Sequence, residues 1–213
     1  MDREKTRNFV LTKAMDMFVT RGYAAVRMDD VARELSVSKR TIYEMFQTKE
    51  CLFVECVKTQ IGKTEQRIRQ QMESGMDVIT VTLLYMYDSI NATKNVNKAF
   101  FDDLLRFPEL STLYRQLMDS FEDNMVRILM KGVSQGVFRE DVNMEIVAMV
   151  QNSIRNLWKY SRSDRRYTFE QIFQSVIMVQ LRGLSTAKGL ELLDNFKYKY
   201  TDKDEQGKND FRS

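Results

Sequence analysis

The sequence predicts an all-α protein. Only 1 proline and 8 glycines punctuate 213 residues, against typical usage of roughly 5% and 7%. Sandwiches, barrels and doubly wound sheets need a turn every few residues, and these breakers are too few to supply them. Apolar residues also recur at three- and four-residue steps from the beginning of the chain, which is the helical period. The 43% hydrophobic content is ample for a core, and 30% charge is enough for a soluble surface. No apolar run approaches the ~18 residues of a membrane span. The opening MDREKTRNFV lacks the apolar stretch of a signal peptide. A soluble, cytoplasmic protein with no membrane partner is expected.

The elements follow in order. A first helix carries Val10, Leu11, Ala14 and Phe18 inward, leaves Arg3, Arg7, Lys13 and Asp16 for other faces, and stops at Gly22. A very short second helix holds Met28, Val31, Ala32 and Leu35, with Asp29 and Asp30 at its positive dipole end. Ser38 caps a third helix that turns Ile42 and Phe46 inward. Thr48 caps a long fourth helix through Leu52, Phe53, Cys56, Val57 and Ile61, ending around Ser74-Gly75. Further helices are expected over 76–93, 96–106 and 108–135, the last with Pro108 in its first turn. Gly136 ends that helix, Val137–Val142 form a connector, and Asn143 caps a helix to about Tyr160. Thr168 and Gln171 form a capping box for a helix to about Leu184. Beyond Asn195 the alternating charges and few core residues predict a frayed or disordered tail.

Several chemistries are excluded early. The chain has no histidine, and its cysteines are Cys51 and Cys56, which removes His-based triads, His–Cys zinc sites and imidazole relays. No metal, no cofactor and no catalytic residue are expected. Five apart on one helix, the two cysteines point in different directions and do not form a disulfide. Small buried apolar residues is their expected role. Cys51 also falls in a first helical turn, where the local field can lower a thiol pKa. Residues 1–75 hold 14 Lys+Arg against 11 Asp+Glu, so the whole formal charge of +3 lies in the first third. A basic excess at one end fits a polyanion-binding module joined to a neutral body.

The motif that gives this excess a meaning spans residues 28–46: MDDVAREL, then SV, then SKRTIYEMF. Two short helices across a tight turn have the spacing of a helix-turn-helix. Val31, Ala32, Leu35, Val37, Ile42 and Phe46 can fill one small core, with Ala32 small enough for close approach. Lys39, Arg40, Thr41, Tyr43, Glu44 and Gln47 then face outward together, long and hydrogen-bonding, suited to base edges and phosphates in a major groove.

From Arg7 to Phe53 the chain closely resembles the DNA-binding domain of the tetracycline-repressor (TetR) family. The carrying stretches are VLTKAMDMF (10–18), RGYAAVRMDDVAREL (21–35) and SVSKRTIYEMFQTKECLF (36–53). Weaker likeness continues in GVSQGVFREDVN (132–143) and LRGLSTAKG (181–189). The resemblance implies about nine helices: a helix-turn-helix domain over 1–50, a connecting helix over about 48–74, and a ligand-binding and dimerisation domain over 51–195 before a tail at 196–213. It implies a homodimer that represses from a palindromic operator of double-stranded DNA and is released by a small-molecule effector. It places Ser38, Lys39, Arg40, Thr41 and Tyr43 on the recognition helix, with Tyr43 and Lys49 against phosphate. Thr48 would bring free backbone N–H groups to the same strand. Four departures stand out. Ser36 occupies a turn position often held by glycine, and Glu44-Met45 replaces a pattern with histidine. Arg40 stands where a small residue is common, and either reads a guanine or touches only phosphate or solvent. Arg27 replaces the usual Ser or Thr cap, as a phosphate contact with a poorer cap. Glu44 repels the DNA backbone unless it accepts from a cytosine or pairs with Arg40.

The larger domain has two expected duties. Ile154 and Trp158 on one helix, and Phe173, Val176, Ile177 and Leu184 on the next, are candidates for a four-helix dimer interface, because the second helix is apolar nearly all round. Tyr85, Met86, Phe101, Leu105, Tyr114, Met118, Phe121 and Met125 are candidates to line an effector cavity, since methionine and aromatics make adaptable walls. No buried acid or cluster identifies the effector's class. An enzyme built on Asp102 and Asp103 or on Glu122 and Asp123 is disfavoured, because adjacent acids on a helix point apart. The rival within DNA binding is a ligand-independent or architectural protein with a solid C-terminal core. An activator is a further possibility, since polarity depends on where the operator lies.

Overall fold

A computed structural model describes residues 3–91, 96–161, 171 and 173–204, with side chains described for all but 90–91, 154–161 and 197–204 among these. The described residues form ten α-helices: α1 (Arg3–Arg21), α2 (Met28–Glu34), α3 (Lys39–Phe46), α4 (Lys49–Glu73), α5 (Val78–Asn91), α6 (Lys98–Arg106), α7 (Pro108–Ser134), α8 (Met144–Ser161), α9 (Val179–Leu184) and α10 (Ala187–Asp204). A π-helical stretch, Phe173–Met178, runs directly into α9. No described helix is long and apolar enough to cross a membrane. The chain forms two compact units, Met1–Arg67 with Asn91–Phe121, and Ile68–Ile90 with Glu122–Ser213.

In the first unit, α1 buries Val10, Leu11, Ala14, Met17 and Phe18. Against them lie Val31 and Ala32 of α2, Ile42 and Phe46 of α3, and Leu52, Phe53, Cys56 and Val57 of α4. Phe18, Tyr23 and Phe53 meet pairwise with centroids 5.4–5.5 Å apart, close enough for edge contacts that add to the area they bury. Gly22 ends α1 at φ +92°, a conformation that costs glycine little. A Cβ there would stand 3.1 Å from both Ala99 and Asp103, because α6 docks at this corner. Asn97 donates its backbone N–H to Val19 O and its side-chain amide to Thr20 O, and its Oδ1 accepts from Ala99 N. One side chain thus satisfies a carbonyl at the end of α1 and starts α6.

In the second unit, α5 buries Val78, Ile79, Val81, Leu83, Tyr85 and Met86, and α7 adds Met125, Ile128 and Leu129. The predicted connector after α7 pairs with the segment between α9 and α10. Phe138 and Ser185 form an antiparallel bridge, Arg139 N donates to Leu184 O, and Thr186 N donates to Val137 O, each of these bonds 2.9 Å. Gly189 sits so close that a Cβ would lie 2.3 Å from Val137 O. The two stretches that resembled family text downstream of the helix-turn-helix are therefore neighbours in space.

Two predicted elements differ. The helix expected over 168–184 is not one regular α-helix: residues 168–170, and with them the Thr168 capping box, lie outside the described residues, and 173–178 is π-helical. Beyond Asn195 the backbone continues as helix to Asp204, since KYKYTDKD contains no glycine or proline to stop propagation.

Candidate nucleic-acid interface

The α2–α3 turn is built on Ser36 at φ +54°. A serine does hold the left-handed position there, at a small steric cost that glycine avoids. Ser38 caps α3, its Oγ accepting from Thr41 N at 3.0 Å and lying 2.7 Å from Thr41 Oγ1. Inward, Ile42 and Phe46 anchor α3 in the core. Outward, Lys39, Arg40, Tyr43, Glu44 and Gln47 are exposed, with Thr41 half-buried. The amphipathic spacing alone forces this division.

The outward charges are paired rather than loose. Arg40 Nε donates to Glu44 Oε1 at 2.7 Å while the Arg40 side chain stays 88% exposed. Glu44 thereby has the arginine partner its position called for. Lys39 Nζ donates to Asp29 Oδ2 of α2, and that carboxylate holds the Lys39 pKa above its usual value. Exposed pairs of this kind contribute little to stability, so a phosphate can replace the carboxylate partner at small cost. Arg27 is exposed at the start of α2. Its backbone N–H donates to Asp30 Oδ2 at 3.1 Å, and Asp30 supplies the cap that Arg27, having no acceptor, does not. Thr48 is exposed and caps α4 through Cys51 N at 3.1 Å.

Lys49 behaves differently from the expectation. Its ammonium donates to Tyr23 O at 2.9 Å and Val26 O at 3.0 Å, and sits 4.1 Å from the centre of the Tyr23 ring. Burial pushes its pKa down. Two of its three N–H donors hold the α1–α2 loop, which leaves one for any phosphate. Sequence reasoning also missed α1: Arg3 and Thr6 share a recess of about 320 Å³ with Thr41, Glu44 and Met45. The helical period gave no separate signal: Arg3 and Thr6 precede Val10 by seven and four residues and so lie on its side of α1, one to two turns before the buried stripe begins. Arg7, by contrast, bonds Glu55 at 2.9 Å and lies over the Phe46 ring, so it braces α3.

The candidates for a cavity are divided between the units. Phe101, Tyr114, Met118 and Phe121 are half-buried against the core of the first unit. Tyr85, Met86 and Met125 are buried in the second. Leu105 lines nothing, being 88% exposed: α6 turns Phe100, Asp103 and Leu104 inward, and the helical period puts Leu105 on the opposite face. Of the dimer candidates, Ile154 and Trp158 have side chains outside the described residues. Phe173 is half-buried and Val176 exposed. Ile177 and Leu184 are corrected: they are 0% and 6% exposed, sharing with Leu181 a face turned into their own unit. The exposed apolar side chains are instead Ile146, Met149 and Val150 of α8, and Val176 and Val179 beside α9. Gln151 and Gln180 bond across α8 and α9, which puts these two sets on adjoining helices. The adjacent acids diverge: Asp102 pairs with Lys98, while Asp103 accepts from Ala24 N.

Residues 10–56 match the family model described as bacterial regulatory proteins, tetR family. The HTH-type transcriptional repressor KstR2 of Rhodococcus jostii (strain RHA1) is 22% identical over 186 residues, 84% of this chain and 91% of that protein. The HTH-type transcriptional activator FasR of Mycolicibacterium smegmatis (strain ATCC 700084 / mc(2)155) is 21% identical over 189 residues, 87% and 85% of the two chains. A solved structure of a transcriptional regulator from Saccharomonospora viridis in complex with choline shares the fold, with TM-score 0.59 and 19% identity over 92% of this chain and 97% of that one.

Proposed function

Since the chain belongs to the TetR family and is a DNA-binding transcriptional regulator, not an enzyme, we propose that it is a repressor that binds a palindromic operator as a homodimer and leaves it when a small-molecule effector binds. The observation that carries this reading is the outward face of α3, where Lys39, Arg40 and Tyr43 are exposed over an anchored three-helix base. In the proposal, residues 1–50 read the operator and 51–195 bind the effector and the second subunit. Arg40 reads a base edge, while Arg27, Ser38, Lys39, Thr41, Tyr43, Thr48 and the remaining N–H of Lys49 position the backbone. The apolar side chains of α8 and α9 support dimerisation, because so many exposed together on adjoining helices mark an interaction surface.

Two recognition helices reach successive major grooves when they stand about 34–36 Å apart. Helix α4 has Lys49–Arg67 in one unit and Ile68–Glu73 in the other, so an effector that displaces its second part alters that spacing. The effector shifts the equilibrium only by the difference in its affinity for the two forms. A relative found with choline supports effector binding as a class of behaviour. An activator is the second reading, favoured by the likeness to FasR.

Selection of duplexes from a random pool tests the proposal. The expected winner is a palindrome whose affinity falls steeply with salt. Recovery of sites without two-fold symmetry, or no enrichment, refutes it. Reporter transcription from the selected site then separates repressor from activator.

A further inference from the structure

Among the described residues of the second unit, one buried polar side chain is unsatisfied. Asn124, on α7, is 1% exposed, and neither its Oδ1 nor its Nδ2 has a hydrogen-bond partner. The other buried polar side chains described in that unit are all paired. Thr82 donates to Val78 O, Thr80 to Asp77, Ser185 to Leu181 O, and Gln151 to Gln180. Asparagine is also a poor helix former, and a buried amide without partners opposes folding. A leucine, branched alike at Cγ, would avoid both penalties. Around Asn124 on α7 the buried side chains are apolar: Met125, Ile128 and Leu129.

We propose, on the reading that an effector controls this regulator, that Asn124 is the polar anchor of the effector site and that the effector is an uncharged, largely apolar molecule carrying a carbonyl beside an N–H or O–H donor. The amide has two donors and two acceptor lone pairs on one plane, so it matches a partner that both accepts and donates, as a carboxamide, lactam or hydroxy-ketone does. The absence of charge follows from the surroundings. Among the described residues of this unit no acidic or basic side chain is buried, and a buried ion without a counter-charge is strongly disfavoured. Unlike the effector cavity anticipated from methionines and aromatics, this site is identified by a group that the protein leaves unpaired.

The test uses the full chain, as wild type, Asn124→Leu and Asn124→Ala. Primary amides from butanamide to decanamide are titrated, with hexanoate and hexyltrimethylammonium as charged comparisons. The readouts are the melting temperature and the side-chain amide resonances in a ¹⁵N-correlated spectrum, where the Asn124 pair is identified by its loss in both variants. The expected result is a saturable rise in melting temperature with at least one amide, a shift of the Asn124 pair, and at least tenfold weaker binding by both variants. Equal binding by wild type and variants, preference for a charged probe, or no binding by any amide overturns the proposal; in the last case Asn124 holds water. Operator release separates this failure from that of effector control. An amide that binds at Asn124 without releasing the selected duplex keeps the anchor and removes effector control. A compound from a metabolite library that releases wild type and Asn124→Leu alike keeps effector control and removes the anchor.

Discussion

Replacing Lys49 with methionine keeps the aliphatic stem and removes the ammonium, which separates two roles for this residue. As a brace, Lys49 contributes two hydrogen bonds to Tyr23 O and Val26 O and a contact with the Tyr23 ring. Bonds to a charged group contribute about 1.5–3 kcal/mol each, and a cation over an aromatic face about 0.5–1 kcal/mol at partly exposed sites. Lys49 is half-buried, so the lower end applies and the loss is about 3.5 kcal/mol. For a chain of this size that corresponds to a fall of roughly 7–14 °C in melting temperature. Urea unfolding followed by circular dichroism measures the stability change, and a salt titration of operator binding measures the phosphate contact. The bracing role predicts a lower urea midpoint, and the phosphate contact of the remaining N–H predicts a salt slope flattened by up to about one unit at temperatures where the variant is folded. A wild-type midpoint would refute the brace, and an unchanged slope would remove Lys49 from the DNA backbone.

Arg40→Ala is expected to relax base preference at one operator position by about 1–3 kcal/mol, read by repeating the duplex selection; an unchanged preference at every position removes Arg40 from base reading. Gly189→Ala drives a Cβ to 2.3 Å from Val137 O, and overpacking of this kind costs about 1–3 kcal/mol, visible as a lower urea midpoint that Gly62→Ala, with open space around it, does not reproduce. The Glu55 carboxyl is held below its usual 4.5 first by the hydrogen bond from Arg7. A depressed folded value means that this stability is present above pH 4.5 and is lost as pH falls through the folded value, so Glu55→Gln should flatten the acid limb of the stability profile. Met149→Asp with Val179→Asp should shift sedimentation from dimer to monomer and weaken operator binding; a dimer that survives both places the interface elsewhere.

Much of the DNA-reading half was legible because its signals are local. Ser38 and Thr48 cap through neighbours three residues away, and Ile42 and Phe46 define the buried side of α3. A helix with one apolar stripe declares its own inner face. Ser36 at φ +54° and the Arg40–Glu44 pair likewise depend on residues at most four apart. The lack of histidine removed His-based triads and imidazole relays before any fold was considered.

Where a side chain has more than one direction open to it, only the assembled core chooses. Lys49 turned toward the α1–α2 loop because carbonyls from residues 23 and 26, far away in sequence, converge on it. The helix around Ile177 is apolar on nearly every side, so nothing in its own period says that Ile177 and Leu184 face inward while Val176 and Val179 face out. Asn97 at the end of α1, the Phe138–Ser185 bridge and the unpaired amide of Asn124 are likewise products of tertiary packing. A sequence specifies patterns over one or two helical turns, whereas the partners of a buried polar group come from distant parts of the chain.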